Sequence, residues 1–294
     1  MAVRAGSVAA ALLPEAATWR DEHDLAELLA APGALPAAAT RPARRTAAVF
    51  PSVGSTAVSP RAERVSVGVP VYRDVRFLDE CLTSILAQTR RPHEVLVVDD
   101  GSRSREVDAA LARWEGAEGL VRVLRQPNAG VCVARNRLLD EMTGDAFVLV
   151  DQDDVLLPEF IEATASLLRR RPEVWAAATW TEFFGAYEGV EAKPPFDRRT
   201  GRRENTIIST GALVDMRVRD LGLRFAPDLA FLYCEDWHFW SQIVAAGGVV
   251  GLVPEVLVRH RVHPSSGGFR RTELAWHAGR RRAIEPMLGD PCRR

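Results

Sequence analysis

The sequence predicts an α/β protein with a mostly parallel central sheet. Strand and helix patterns alternate along the chain from residue 64 onward. The segments VSVGVPV and EVLVVDD predict strands, and EVLVVDD is apolar on both faces, which is typical of parallel strands that helices cover. Short polar motifs follow several of these strands. Such alternation indicates a doubly wound sheet with right-handed crossovers, in which ligands bind beyond the carboxyl ends of the strands.

The first half of the chain is regular. VSVGVPV predicts a strand, and the next stretch predicts a helix because apolar residues recur on one helical face. EVLVVDD is a second buried strand. We then expect a helix over Glu106–Trp114, the strand LVRVLRQ, a helix over Val131–Met142 and the strand AFVLV.

The second half is less regular. A helix over Glu159–Arg170 leads to the strand VWAAATWTEFF and then to an irregular charged stretch through DRRTGRRE. NTIISTGALVD predicts a strand that enters a short helix. EDWHFWSQIVAAGG predicts a helix, whose acidic start suits the positive end of the helix dipole. VLVRHRVHPSSGG is expected to close the core.

These elements indicate three regions. Residues 1–62 are rich in Ala, Pro and Arg and predict a partly disordered arm with one helix over Glu15–Leu29. Residues 63–268 form a single α/β domain. Residues 269–294 are an arginine-rich tail, with a helix predicted over Thr272–Ile284.

Composition excludes several classes of protein. The 294 residues are 47% hydrophobic, which is sufficient for a buried core. A formal net charge of -1 argues against a nucleic-acid-binding protein, because that function normally needs a basic surface. The four cysteines lack paired metal-ligand spacing. Since no apolar run is long enough for a transmembrane segment and SVAAALL is too short for a signal peptide, we expect a cytoplasmic protein.

Two acidic motifs follow predicted strands. Asp99 and Asp100 end VVDD, and Asp151 and Asp153 lie in VDQDD. We expect the two strands to be adjacent, so that the carboxylates project into one crevice. Each motif alone is equally well explained as a turn or helix cap, because Asp is common in both. The two motifs together favour a ligand site, and hard oxygen ligands suit Mg²⁺ or Mn²⁺.

The order of the sequence motifs resembles that of a known protein family. The blocks are VSVGVPVYRDVRFLDECLTSILAQTRRPHEVLVVDDGSRS, NAGVCVARNRLLDEMTGDAFVLVDQDDVLLPEFI and CEDWHFWSQIVAAGG. In this order and spacing, the chain resembles the family 2 glycosyltransferases of the GT-A fold over roughly residues 64–265. The resemblance implies a GT-A domain that binds a sugar nucleotide.

The resemblance also implies which residues bind the donor. The first strand end and the DDGS turn of such proteins hold the base and ribose, and Asp100 matches the position on the uracil edge. An N-x-G-x-x-x-x-R-N block follows, in which Arg135 matches the residue placed to reach the nucleotide. The implied nucleotide residues in these blocks are Pro70, Val71, Tyr72, Asp99, Asp100, Asn128 and Arg135.

The family's Asp-X-Asp (DXD) motif matches Asp151 and Asp153. The resemblance implies that Asp151 faces the ribose and that Asp153 holds a divalent cation, Mn²⁺ or Mg²⁺, against the diphosphate, with Asp151 also near the metal. An R-x-H element adds His263 as a metal or diphosphate contact. A histidine after a strand is otherwise more often a surface residue. Asp154 is the extra carboxylate, and we expect it to stabilise the loop or cap.

The resemblance places the catalytic base at Asp236, in a Glu-Asp pair with Glu235 at a helix start. A carboxylate within hydrogen-bond reach can take the proton of an attacking sugar hydroxyl, which is a poor nucleophile. Taken alone, the pair is better explained by the preference for acidic residues in a first helical turn.

The remaining candidates are two small residues and two tryptophans. Gly211 and Ala212 resemble the segment that lines the donor-sugar and acceptor pocket. Trp237 and Trp240 could form an aromatic wall for an acceptor sugar, but aromatic residues at this helical spacing are more often core.

The sequence-based hypothesis is therefore an inverting, metal-dependent glycosyltransferase that uses a nucleoside diphosphate sugar, with UDP preferred. The alternatives are a retaining transferase, a nucleotidyltransferase and a catalytically silent sugar-nucleotide-binding module. A saccharide, a lipid-linked sugar and a small natural product remain open as acceptors. The arginine clusters are expected to be solvated, and peripheral contact with an anionic membrane stays open.

Overall fold

The computed structural model describes residues 61–208, 210–227, 234–263 and 284–288. The helix predicted over Glu15–Leu29, nearly all of the arm and the helix predicted over Thr272–Ile284, apart from its last residue, lie outside these residues. The described chain is an α/β domain, as expected from the alternation of strand and helix patterns.

Most strands of the described chain lie close to where the sequence predicts them. The strand predicted at the start of NTIISTGALVD is wrong for residues 205–208, which form no strand, and the strand in this segment is Ala212–Asp215. Two short strands, β5 and β7, were not predicted. The strands are β1 (Val65–Val71), β2 (Glu94–Asp99), β3 (Val121–Arg125), β4 (Ala146–Leu149), β5 (Val155–Leu156), β6 (Val174–Gly185), β7 (Gly189–Glu191), β8 (Ala212–Asp215) and β9 (Val249–Val262).

The predicted helices within the described residues are also present, with ends that differ by one residue or so. They are α1 (Leu78–Leu86), α2 (Arg105–Trp114), α3 (Val131–Glu141), α4 (Phe160–Arg170), α5 (Arg217–Asp220) and α6 (Glu235–Ala245). A further helix, α7 (Glu285–Leu288), was not predicted, because the tail helix was expected to end at Ile284. A short 3₁₀ turn, Ala117–Gly119, precedes β3.

The described strands form one sheet in the order β3-β2-β1-β4-β8-β6-β9-β5, with β7 paired to β6. Strands β1 to β4, β6 and β9 run in one direction, whereas β5, β7 and β8 run in the opposite direction. The expectation that the two acidic strands are adjacent is wrong, because β1 lies between β2 and β4. The strand order turns back at β1: β2 and β3 extend to one side of it and β4 to the other.

This reversal opens a crevice at the carboxyl ends of the strands. β1 pairs with β2 as far as Val71, opposite Asp99, but with β4 only as far as Gly68, opposite Leu149. Pro70 therefore lies beyond the last pair with β4, where its missing N–H costs no hydrogen bond to that strand. Reversal points of this kind are where open α/β sheets bind ligands.

Helices cover both faces of the sheet. One apolar core joins α3 and α6 to side chains such as Leu96 and Phe147. A second core joins α1, α2 and α4 to side chains such as Val67 and Val148. Every residue of β1 is buried, because both faces of this strand pack against helices.

None of the helices in the described residues is long and apolar enough to cross a membrane.

The turn after β2 requires a glycine. Gly101 has φ of +73°, and a Cβ atom there would lie 2.5 Å from the backbone nitrogen of Asn128. Gly116 has a similar φ of +76° with nothing within 4 Å of the added atom. We expect Gly101→Ala to lower the free energy of unfolding by about 2 kcal/mol more than Gly116→Ala, because both variants incur the left-handed strain and only the first adds steric overlap.

Urea denaturation of the two variants measures this difference, with Gly116→Ala as the matched control. Equal losses of stability in the two variants would contradict it.

Candidate active site

The predicted site residues meet in the crevice at the carboxyl ends of β1, β2 and β4. Tyr72 follows β1, Asp99 and Asp100 end β2, and Asp151 follows β4. α3 and α6 approach the same region, because Arg135 of α3 contacts both Asp151 and the first residue of α6.

The two carboxylates at the end of β2 are buried and accept hydrogen bonds from backbone N–H groups of nearby loops. Asp99 Oδ1 accepts a hydrogen bond from the Ser102 N–H at 3.0 Å. Asp100 accepts from the Gln126 side chain at 2.7 Å and from the backbone N–H groups of Ala129 and Gly130 at 2.9 and 2.8 Å. Asp100 therefore orders the loop between β3 and α3. That these carboxylates also bind the base and ribose stays a prediction.

Asn128 lies in this loop and is exposed, at a short distance from the Gly101 turn. Its predicted contact with the nucleotide is consistent with that exposure and stays a prediction.

The end of β1 is held by Gln152, a residue that the sequence analysis passed over. Gln152 Oε1 accepts the Tyr72 N–H at 2.9 Å, and Gln152 Nε2 donates to the Asp74 carbonyl. Pro70 and Val71 are buried, while Tyr72 is 36% exposed. Gln152 could have been noticed, because it is the middle residue of the DXD motif.

A buried guanidinium connects Asp151 to the start of α6. Arg135 Nη2 donates to Asp151 Oδ1 at 2.8 Å, and Arg135 Nη1 donates to Glu235 Oε1 at 3.1 Å. The Arg135 side chain is only 4% exposed. Burial alone would lower the pKa of Arg135, but Asp151 and Glu235 together raise it above its ordinary value. The sequence predicted Arg135 as a nucleotide ligand, whereas both of its terminal nitrogens bind protein carboxylates.

Asp153 is paired with His263, the histidine of the R-x-H element, and the implied contact of His263 with a metal or diphosphate stays a prediction. His263 Nε2 lies 2.8 Å from Asp153 Oδ2. Burial, together with the charges of Asp154 and Asp151, raises the pKa of Asp153 to about 6, and the hydrogen bond to His263 opposes that rise. Arg261 Nε donates to the Asp153 carbonyl at 3.1 Å, so the arginine of the R-x-H element supports the loop.

Asp154 is fully buried and has the stabilising role expected of it. Thr210 Oγ1 donates to Asp154 Oδ2 at 2.8 Å, and the Arg261 N–H donates to Oδ1 at 3.0 Å. His260 Nδ1 lies 2.9 Å from the same carboxylate. Burial lowers the pKa of His260, but the Asp154 charge more than offsets it and raises that pKa to about 9. Asp154 thus ties the acidic loop to β9.

The donor set for a cation consists of a carboxylate and an imidazole. Among the described residues, no group of three His, Cys, Asp or Glu side chains is arranged to hold a metal ion. Asp153 and His263 supply two ligand atoms side by side. Two protein ligands fit Mg²⁺ or Mn²⁺ when a substrate diphosphate supplies further oxygens. Asp151 Oδ1 faces Arg135 instead, so its predicted contact with the metal stays a prediction.

Asp236 lies in the first turn of α6 with both carboxylate oxygens hydrogen-bonded. Asn205 Nδ2 donates to Oδ2 at 3.0 Å, and the Trp237 N–H donates to Oδ1 at 2.7 Å. Asn205 was not among the predicted site residues, because it begins the segment NTIISTGALVD, for which the sequence predicted only a strand and a short helix. The structure leaves the predicted role of Asp236 as a base untested.

The two tryptophans of α6 are core residues, the interpretation that the sequence analysis preferred. Trp237 and Trp240 are 1% and 2% exposed. Their indole N–H groups donate to the carbonyls of Gly201 at 2.8 Å and Ile207 at 3.2 Å. They therefore hold the stretch before β8 against α6.

Gly211 and Ala212 lie at the start of β8, next to Thr210. Thr210 Oγ1 accepts the Asp151 N–H at 3.1 Å, so this segment borders the acidic loop. The Ala212 side chain packs in the apolar core with 1% exposure. The prediction that the two residues line a sugar pocket stays a prediction.

Comparisons with known proteins agree with the architecture. A family model described as glycosyl transferase family 2 matches residues 66–218. The amylovoran biosynthesis glycosyltransferase AmsE of Erwinia amylovora is 28% identical over 211 residues, covering 66% of this chain and 74% of that protein. An uncharacterized glycosyltransferase of Haemophilus influenzae is 27% identical, covering 68% of this chain and 65% of that protein.

Solved structures of S. aureus TarS share the fold. The complex of TarS 1-349 with UDP has a TM-score of 0.57 and 19% identity, and the match covers 68% of this chain. The complex with UDP-GlcNAc has a TM-score of 0.59 and 19% identity over 69% of this chain. This chain spans 61% and 60% of those two chains, respectively.

The buried arginine leads to a stability prediction. We expect Arg135→Met to lower the free energy of unfolding by about 3 kcal/mol, because Asp151 and Glu235 would then be partly buried charges without their partner. Arg137→Met on the same helix is the control, since within the described part of the chain Arg137 makes an exposed hydrogen bond to the Arg125 carbonyl, at 2.7 Å, and binds no carboxylate. We expect it to cost about 1 kcal/mol or less.

Chemical denaturation followed by circular dichroism compares the two variants. A loss for Arg135→Met no larger than that for Arg137→Met would show that the guanidinium bridge contributes little to the fold.

Proposed function

Because this chain belongs to glycosyl transferase family 2 and has the GT-A fold, we propose that it transfers a sugar from a UDP-sugar to an acceptor hydroxyl with inversion. Asp153 and His263 hold a divalent cation in this proposal, and Asp236 is the general base. The observation that carries the proposal is the Arg135 bridge. In it, one buried guanidinium binds both Asp151, in the loop after β4, and Glu235, in the first turn of α6.

The donor side of the proposal rests on the loop after β4. Asp153 and His263 are adjacent at the crevice, and their oxygen and nitrogen suit a cation that also binds a diphosphate. When bound, such a cation supplies positive charge that offsets the charge developing on the leaving diphosphate. The UDP and UDP-GlcNAc complexes of TarS support a uridine nucleotide as donor.

The acceptor side rests on the first turn of α6. Asp236 would accept the proton of the acceptor hydroxyl as that oxygen bonds to the anomeric carbon. The bond from the anomeric carbon to the diphosphate oxygen breaks in the same step, and the diphosphate leaves as an anion. Attack opposite the leaving group inverts the anomeric centre. Arg135 would hold Glu235, and with it the first turn of α6, in register with the donor loop.

The rival functions predict different outcomes of the same assays. A retaining transferase would give the opposite anomer, a nucleotidyltransferase would release no UDP from a UDP-sugar, and a silent module would bind donor without turnover. Asp151, Asp153 and Asp236 together support an active enzyme, because a binding module has no need of a base.

We expect the protein to bind at least one UDP-sugar in the presence of Mn²⁺ and to release UDP when an acceptor is present. Asp153→Ala should lose the Mn²⁺-dependent part of UDP binding, because it removes one of the two adjacent ligand atoms. Calorimetry over a panel of sugar nucleotides, with and without Mn²⁺, measures both.

Asp140→Ala is the matched control, because that carboxylate is 62% exposed and pairs with Arg224. Absence of binding, hydrolysis and transfer with every donor would overturn the proposal. Unchanged Mn²⁺-dependent affinity in Asp153→Ala would remove Asp153 from the cation site.

Asp236→Asn should lower the transfer rate by about 10²–10⁴-fold while donor binding stays unchanged, because the amide cannot take the acceptor proton. Rates of UDP release with acceptor, set beside calorimetric donor affinities, test this. Asp140→Asn serves as the control and should keep full activity. Turnover at the wild-type rate in Asp236→Asn would assign the base to another residue.

A further inference from the structure

We propose that Asn205 is a positioning residue that fixes the carboxylate of Asp236 for proton transfer. This inference rests on the proposed function, since it concerns the residue assigned as the base. Asn205 Nδ2 donates to Asp236 Oδ2 at 3.0 Å. Asn205 lies 31 positions before Asp236 in a stretch without helix or strand.

The amide of Asn205 is oriented by a second hydrogen bond. The Ile207 N–H donates to Asn205 Oδ1 at 3.3 Å. Because only the amide oxygen can accept that bond, the amide nitrogen faces Asp236. Asn205 therefore presents an N–H donor to the carboxylate.

Two buried indoles hold the backbone on either side of Asn205. Trp237 binds the carbonyl of Gly201, and Trp240 binds the carbonyl of Ile207. Both tryptophans belong to the same helix as Asp236, so Asn205 and Asp236 are held to one rigid element. Lys193 Nζ adds a hydrogen bond to the Asn205 carbonyl at 3.4 Å.

The two donors determine how the base is presented. Trp237 N–H binds Oδ1, and Asn205 binds Oδ2, which together define the plane of the Asp236 carboxylate. Each carboxylate oxygen has two lone pairs, so the hydrogen bond from Asn205 does not by itself prevent Oδ2 from accepting a proton from a substrate hydroxyl. A donor to the ionised form also favours that form and keeps the base deprotonated at lower pH.

Two charged groups near Asp236 have opposite effects on the ionisation of its carboxyl group. Glu235, its neighbour on α6, opposes ionisation of Asp236. Arg135 of α3 and Asp236 attract each other electrostatically. Neither of these groups is altered by a substitution at Asn205, so a change in the titration of Asp236 can be assigned to the lost N–H.

The decisive measurement is the titration of the Asp236 carboxyl carbon, followed by NMR in protein labelled with ¹³C-aspartate. The Asp236 signal is assigned by its absence in Asp236→Asn. We expect Asn205→Ala to shift the midpoint up by about one pH unit, because a donor to the charged form is lost. Asn205→Asp should shift it further, since it replaces the donor with a like charge.

Glu204→Gln is the matched control. It alters the preceding residue, whose half-exposed carboxylate pairs with Lys193 at 3.7 Å, and should leave the midpoint at the wild-type value. Far-UV circular dichroism and thermal melting of each variant report whether the fold is retained.

Transfer assays add a second readout. Asn205→Ala should lower kcat by about tenfold at neutral pH, with the acidic limb of the pH profile moved upward and the donor KM unchanged. In the Asp236→Asn background the same substitution should have no further effect, because Asn205 acts through that carboxylate.

The outcomes separate the inference from the proposed function. A titration midpoint that is the same in wild type, Asn205→Ala and Glu204→Gln overturns the inference even if the enzyme transfers sugar. A shifted midpoint in a protein that transfers no sugar supports the contact and overturns the function. A loss of rate that persists undiminished in the Asp236→Asn background would also overturn the inference.

Discussion

The arrangement of the candidate site depends on one buried guanidinium group, that of Arg135. Arg135 is almost inaccessible to solvent, and its two terminal nitrogens bind carboxylates from different parts of the chain. A guanidinium is costly to bury unless it is paired, and its planar fork suits two carboxylates at once. Asp151 and Glu235 are therefore held at a set separation. The loop that carries Asp151 and the start of α6 are held together, because neither carboxylate can move away without breaking its hydrogen bond to the guanidinium.

Residues 151–154, which begin two positions after β4 ends, contact four separate parts of the chain. Asp151 binds Arg135 on α3, Gln152 binds the loop after β1, Asp153 pairs with His263, and Asp154 binds Thr210 before β8 and Arg261 in β9. All four residues therefore connect separate elements, and the third residue of the motif is paired with an imidazole. A short acidic segment can do this because successive side chains leave the strand end in different directions.

Much of the fold could be predicted from the sequence. Strands β1 and β2 and the helices in the first half of the domain lie within a residue or so of their predicted positions. The prediction succeeds there because hydrophobic periodicity reflects burial directly. The two short strands β5 and β7 were not predicted, since two or three residues are too few to show a period. The expected adjacency of β2 and β4 failed for a different reason. Strand order depends on whether each crossover connection places the next strand on one side of β1 or on the other. Either arrangement buries the same residues, so the pattern of apolar residues cannot distinguish them.

The sequence by itself determined the order of the elements, the family, and the loops that carry the acidic residues. These are local properties, or properties of motif order, and a linear pattern contains them. Only the tertiary structure decided which partner each carboxylate has. Arg135 meets Glu235 across 100 positions, and Arg261 meets Asp154 across 107. Asn205 reaches Asp236 from a stretch with no periodicity. No local pattern records such pairings, because packing of α3, α6 and β9 around the crevice is what brings the groups within hydrogen-bond distance.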